Sequence, residues 1–192
     1  PKPHFFVKNL PVLRDKKEIG VAENFKIYIG LQNYFSTSSL KIKDLVFSKT
    51  SFNITVDDLI FFQNLLKTEP NENKILIKNS DIFFKSDDGE ILFLNKIFNS
   101  KFYYDSYNLK NVLTSKNKVF NVPYKVTIKN DKFNKQILSN FKSKKIRLNV
   151  ENNLSYDDIN KKKGFLDILF VNKSTSLNYE LKKNSLNFMS ED

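Results

Sequence analysis

The chain has 192 residues, 40% hydrophobic and 14% aromatic with 19 Phe, which excludes a disordered segment and suffices for one sizeable domain. Its formal charge of +11 comes almost wholly from lysine, with Arg14 and Arg147 the only arginines, and 25 Asn accompany it. That is the product of AT-rich codons more than of a nucleic-acid site, which favours arginine, and the lack of cysteine excludes disulfides and thiolate metal ligation.

The first residue is Pro1, so a processed or truncated start is expected, with any membrane anchor upstream. Residues 1–23 read as an irregular segment, because Pro1, Pro3 and Pro11 interrupt it and "LRDKKEIG" is a charged connector. Residues 24–192 read as a single β-rich domain. "FKIYIGLQ" places Ile27, Ile29 and Leu31 on one side, "LKIKDLVF" places Leu40 and Ile42 between lysines, and "SFNITV" alternates Phe52, Ile54 and Val56 with polar residues. One segment departs from this pattern. "VDDLIFFQNLLKTEP" carries Leu59, Phe62, Leu65 and Leu66 at helical spacing, a cap at Asp57 or Asp58 and a stop at Pro70, predicting a short helix near residues 57–67.

Strands resume in "KILIKNSDIFFKSDDGEILFLNKI", where Ile75 and Ile77 precede a second run at Asp81–Lys85 and Ser86–Gly89 is turn chemistry. The best alternations lie further on, at Val122, Tyr124, Val126 and Ile128 and at Ile146, Leu148 and Val150. The order predicts an antiparallel meander with one helix near its front and no strict repeat period.

Such a meander has one wet face and one oily one. About nine strands with about three inward side chains each, at roughly 1.5–3 kcal/mol per buried side chain, cannot leave that face in water. A helix of about 16 Å covers only one end of a sheet roughly 43 Å across. The cover is therefore a second layer closing a sandwich or barrel, another copy or missing part of the chain, or a lipid chain lying in a trough. Alternation leaves all three open.

Few residues carry chemistry. His4 stands alone in a Pro-flanked segment. The pairs Asp57–Asp58, Asp87–Asp88 and Asp157–Asp158 fall at a helix start or at turns, where Asp bonds to nearby backbone. "DDGE" lacks the spaced ligands of a calcium loop, and Gly20, Gly30, Gly89 and Gly164 are isolated. "KSKK" (Lys142–Lys145) and "KKK" (Lys161–Lys163) read as solvated turns. With Tyr156 and Phe141 nearby, a basic nucleic-acid-binding surface is the minor alternative for them, and for the net charge as a whole the alternative to codon bias is an anionic partner, a membrane surface or nucleic acid. No enzyme activity, cofactor or metal is expected.

The order of segments in residues 21–98 resembles the AsmA-like family of Gram-negative envelope proteins. Leu31, Tyr34 and Phe35 occupy a short step after a strand, and Ile75, Ile77, Asn79, Ser80, Ile82 and Phe84 occupy a hairpin pattern in which Ser80 replaces the usual glycine. The resemblance implies a relative of bridge-like lipid-transfer proteins: a curved, open β groove that solvates phospholipid acyl chains on the periplasmic side of the inner membrane and serves outer-membrane biogenesis. It also implies that these residues are the membrane-proximal part of a longer chain whose anchor lies outside them. The expected groove floor is Ile27, Ile29, Ile42, Ile54, Ile77, Val126, Ile128, Ile146, Leu148, Val150, Ile168 and Phe170. The alternative for the same residues is the ordinary core of a closed sandwich, a scaffold or adhesion module.

Overall fold

A computed structural model of the chain describes residues 3–30, 42–59, 73–156, 161–182 and 185–190. The described strands are β1 (His4–Arg14), β2 (Lys17–Ile29), β3 (Ile42–Ile54), β4 (Lys74–Lys85), β5 (Ile91–Asp105), β6 (Lys110–Val119), β7 (Val122–Asp131), β8 (Gln136–Ser143), β9 (Leu148–Ser155), β10 (Lys161–Phe170), β11 (Lys173–Lys182) and β12 (Ser185–Ser190). They form one sheet whose spatial order is the sequence order from β1 to β12. Neighbours are antiparallel except β3 and β4, which are parallel. Every substantial contact between the described strands is between sheet neighbours, and β1 and β12 are the two unpaired ends of the sheet. The sheet is mainly β, curved and open, which rules out the sandwich and barrel for these strands.

Residues 4–23, expected to be irregular, instead form β1 and, joined to the expected strand at Ile27 and Ile29, β2, together the first hairpin. Pro11 is tolerated because β1 is an edge strand and serves a single neighbour. The charged connector supplies the turn: Asp15 and Lys16 both have positive φ, as a two-residue type I′ turn requires. The expected helix is described only at residues 56–59, the rest of 57–67 lying outside the described residues. Of the two expected caps Asp58 acts at its start: the Thr55 N–H and hydroxyl donate to Asp58 Oδ2 at 2.7 and 2.9 Å, while Asp58 N–H donates to the Thr55 carbonyl at 3.1 Å.

Two expected breaks are creases within single strands. "LKIKDLVF" and "SFNITV" join in β3 through Lys49, and "KILIK" joins "DIFFK" in β4 through Asn79. Asn9, Lys49 and Asn79 adopt left-handed φ values of 52°, 53° and 48°. Register aligns them with Glu23 of β2 and Phe98 of β5, so one line of exposed, outward-stepping residues crosses five strands. At each, two successive side chains face outward and the period-two alternation skips a beat. Opposite this ridge the inner face carries Ala22, Thr50 and Ser80, all at most 1% exposed. Larger side chains would collide where the sheet folds inward.

Candidate lipid groove

The registers define the two faces, because directly paired residues point to the same side. One row runs through the first eleven strands: Phe5, Ile27, Leu45, Ile75, Phe102 and Leu113, continuing through Ile128, Ser139, Asn152, Leu166 and Leu177. It contains no charged residue. A parallel row on the opposite face reads Lys8, Asn24, Ser48, Lys78, Asn99 and Lys116, then Lys125, Lys142, Asn149, Leu169 and Ser174. The inner face is therefore uncharged along its middle, with Lys162 and Lys173 sharing it only at the ends of β10 and β11, and the outer face is lysine-rich. At about 4.8 Å per strand the inner face is about 50 Å long.

Curvature toward the inner face is built by side chains that span three strands. Tyr124 of β7 donates to Asn95 Oδ1 of β5 at 2.9 Å, over β6. Tyr156, just after β9, donates to Asn130 Oδ1 of β7 at 2.9 Å, over β8. Tyr179 of β11 donates to Asn152 Oδ1 of β9 at 2.7 Å, over β10. The partners lie two strand spacings apart, nearly 10 Å on a flat sheet, so each clasp fits a sheet bent inward. Burial pushes all three phenol pKa values up; Asp131 adds to this at Tyr156, and the Asn152 bond partly offsets it at Tyr179. The hydroxyls remain donors. Gly164 permits the third clasp, because a Cβ there would overlap the Tyr179 ring lying on it.

Nine of the twelve residues expected on the floor share one face of the sheet, and three do not. Ile27, Ile54, Ile77, Val126, Ile128, Leu148, Val150, Ile168 and Phe170 share the inner face by register. Ile146 does not: it lies in the turn between β8 and β9, because Arg147 has a left-handed φ of 51° and ends the apparent alternation before Leu148. Ile29 and Ile42 pair where the register shifts, and Ile42 is 43% exposed at the sheet margin. The inner face also holds residues that the apolar search passed over. Ser80 Oγ accepts the Thr50 N–H at 3.0 Å and donates to the Lys78 carbonyl at 2.9 Å, mending the ladder at the crease. Ser115 donates to Asn117 Oδ1 at 2.8 Å, and both are buried. These short polar side chains satisfy one another and leave the surface free of charge.

The acidic pairs have local roles. The Asp58 side chain is fully buried and ion-paired with Arg14. Burial opposes its ionisation, and hydrogen bonds from Thr55 with the fields of Arg14 and Lys17 outweigh it, lowering its pKa. Asp87 and Asp88 are exposed in the turn between β4 and β5, and Asp157–Asp158 lie outside the described residues. The opposite rim of the trough reveals a repeated turn that composition alone did not disclose. Asp105 and Asp131 each bond the Asn three residues on through both backbone and side chain, leaving Tyr107 and Phe133 exposed between them. His4 opens β1 and packs against Tyr28 with ring centroids 5.2 Å apart.

Neither a protein-family model nor a curated protein sequence matches the chain.

Proposed function

We propose that the chain is a non-enzymatic lipid-handling domain whose inner face solvates phospholipid acyl chains, as the resemblance to AsmA-like envelope proteins implies. On this reading it works on the periplasmic side of the inner membrane, in outer-membrane biogenesis, as part of a longer anchored protein. The observation that carries the proposal is the uncharged row from Phe5 to Leu177 on a face that no second strand layer covers among the described residues. Only nine hydrophobic side chains of the described residues are buried, and Val46 and Val112 among them lie on the outer face by register, so the greasy face is not a finished core. Hydrocarbon laid along it would remove apolar area from water at about 25 cal/mol per Å² with no bond made or broken. Polar headgroups would stay wet between the rims.

Native mass spectrometry of the purified protein, with solvent extraction of whatever it carries, tests the proposal. Adducts with phospholipid masses are expected, and they should disappear in Leu113→Glu/Ile128→Glu, which puts two charges on the row. A protein that carries no lipid, and takes none up from micelles of a fluorescent phospholipid, overturns the reading.

A further inference from the structure

One long rim of the trough is formed by the hairpin turns between β6 and β7 (residues 120–121), β8 and β9 (144–147), and β10 and β11 (171–172). Each presents an apolar side chain: Phe120 is 78% exposed, Ile146 37% and Val171 44%. Two of these are unfavourable local choices. Phe120 and Val171 have φ of 47° and 48° at the first position of two-residue turns, where Asn, Asp or Gly is cheap and a β-branched residue is an outlier. The first hairpin of the same sheet uses Asp15 there.

The turns also concentrate charge of one sign. Lys118, Lys144, Lys145, Arg147 and Lys173 lie in or beside them, and no acidic residue occurs in residues 117–122, 143–148 or 169–174. Lateral hydrogen bonds join the three into one surface: Lys145 Nζ donates to the Asn121 carbonyl at 3.0 Å, and Val171 N–H donates to the Arg147 carbonyl at 3.1 Å. Two strand spacings separate neighbouring turns, so the tips span about 19 Å. The patch ends at the β4–β5 turn, where Asp87, Asp88 and Glu90 reverse the sign.

We infer that this half-rim docks on an anionic lipid bilayer, with Phe120, Ile146 and Val171 entering the headgroup layer and the surrounding cations pairing with lipid phosphates. Apolar tips alone suit many partners, but tips ringed by cations without acids complement a surface both greasy beneath and negative above. Docking by the rim sets the open side of the trough beside the leaflet rather than one of its ends. The inference stands on the turns and does not require the inner face to be loaded.

Sedimentation with vesicles of phosphatidylcholine, with and without phosphatidylglycerol, tests it. The protein should bind the mixed vesicles, and added salt should release it. Lys144→Gln/Lys145→Gln/Arg147→Gln should weaken binding on the order of a hundredfold. Lys78→Gln/Lys129→Gln/Lys163→Gln, with the same charge loss on the outer face, should weaken it far less. Phe120→Asn/Val171→Asn, which suits the left-handed turn better, should lose about tenfold in vesicle affinity with thermal stability kept or raised. Equal loss in both triple variants, no loss in either, or binding of duplex DNA but not vesicles through the rim lysines overturns the inference. None of these variants alters the inner row, so lipid extracted from the wild type should still be extracted from them, which separates this test from that of the groove.

Discussion

Replacing Gly164 with Ala tests whether an aromatic clasp shapes the inner face. The new Cβ would occupy the volume of the Tyr179 ring, which lies flat over Gly164 and is 8% exposed. The ring must swing out, breaking the 2.7 Å bond to Asn152. A lost hydrogen bond costs about 1 kcal/mol net, and exposing much of a buried aromatic costs roughly 1.5–2 kcal/mol more. Against this, Ala in a strand gains about 0.5–1 kcal/mol over Gly. The net expectation is a destabilisation of about 2 kcal/mol, or a fall of about 1 M in the urea midpoint at an unchanged slope. Tyr179→Phe, which removes only the hydroxyl, should cost about 1 kcal/mol. The decisive comparison is a cycle: in a Tyr179→Ala background Gly164→Ala should cost nothing or stabilise, because the collision has gone. If the cost persists in that background, or if Gly164→Ala alone is as stable as the wild type, the clasp does not shape the sheet.

Tyr124→Phe and Tyr156→Phe should each lose about 1 kcal/mol in urea unfolding, and their effects should add because the two clasps meet β7 at Tyr124 and Asn130, roughly 20 Å apart along the strand. Ser80→Ala should cost about 1–3 kcal/mol, since it strands the buried Thr50 N–H, and faster amide exchange at Thr50 would report the same loss. Hydrogen bonds from Asn134 N–H and side chain, with Lys110 beside it, lower the Asp131 pKa to about 2. A lowered carboxylate pKa gives stability that is present above the ordinary value near 4 and lost as pH falls toward 2. Allowing for solvent at the rim, Asp131→Asn should therefore remove on the order of 1 kcal/mol at pH 7 and almost none at pH 2. Identical losses at both pH values would count against this origin.

The side-chain alphabet by itself determined a great deal. Val, Ile and Phe alternating with Lys, Asn and Thr made strands with one oily face, and isolated turn residues set them antiparallel, so the uncharged floor at Val126, Ile128, Val150 and Ile168 was legible from period two alone. It failed where a backbone left that period. Lys49 and Asn79 read as breaks between short strands because nothing local marks a lysine for left-handed φ and an asparagine that favours it signals a turn as readily as a crease, and Ile146 kept apparent step with Leu148 across what is a turn. Only the tertiary structure decided that the sheet stays open, because closure depends on strands far apart in sequence. It likewise decided that Tyr124, Tyr156 and Tyr179 reach over an intervening strand to Asn95, Asn130 and Asn152. Each tyrosine lies 26 or more residues from its asparagine, so only the pairing of the strands between them brings the phenol within hydrogen-bonding distance.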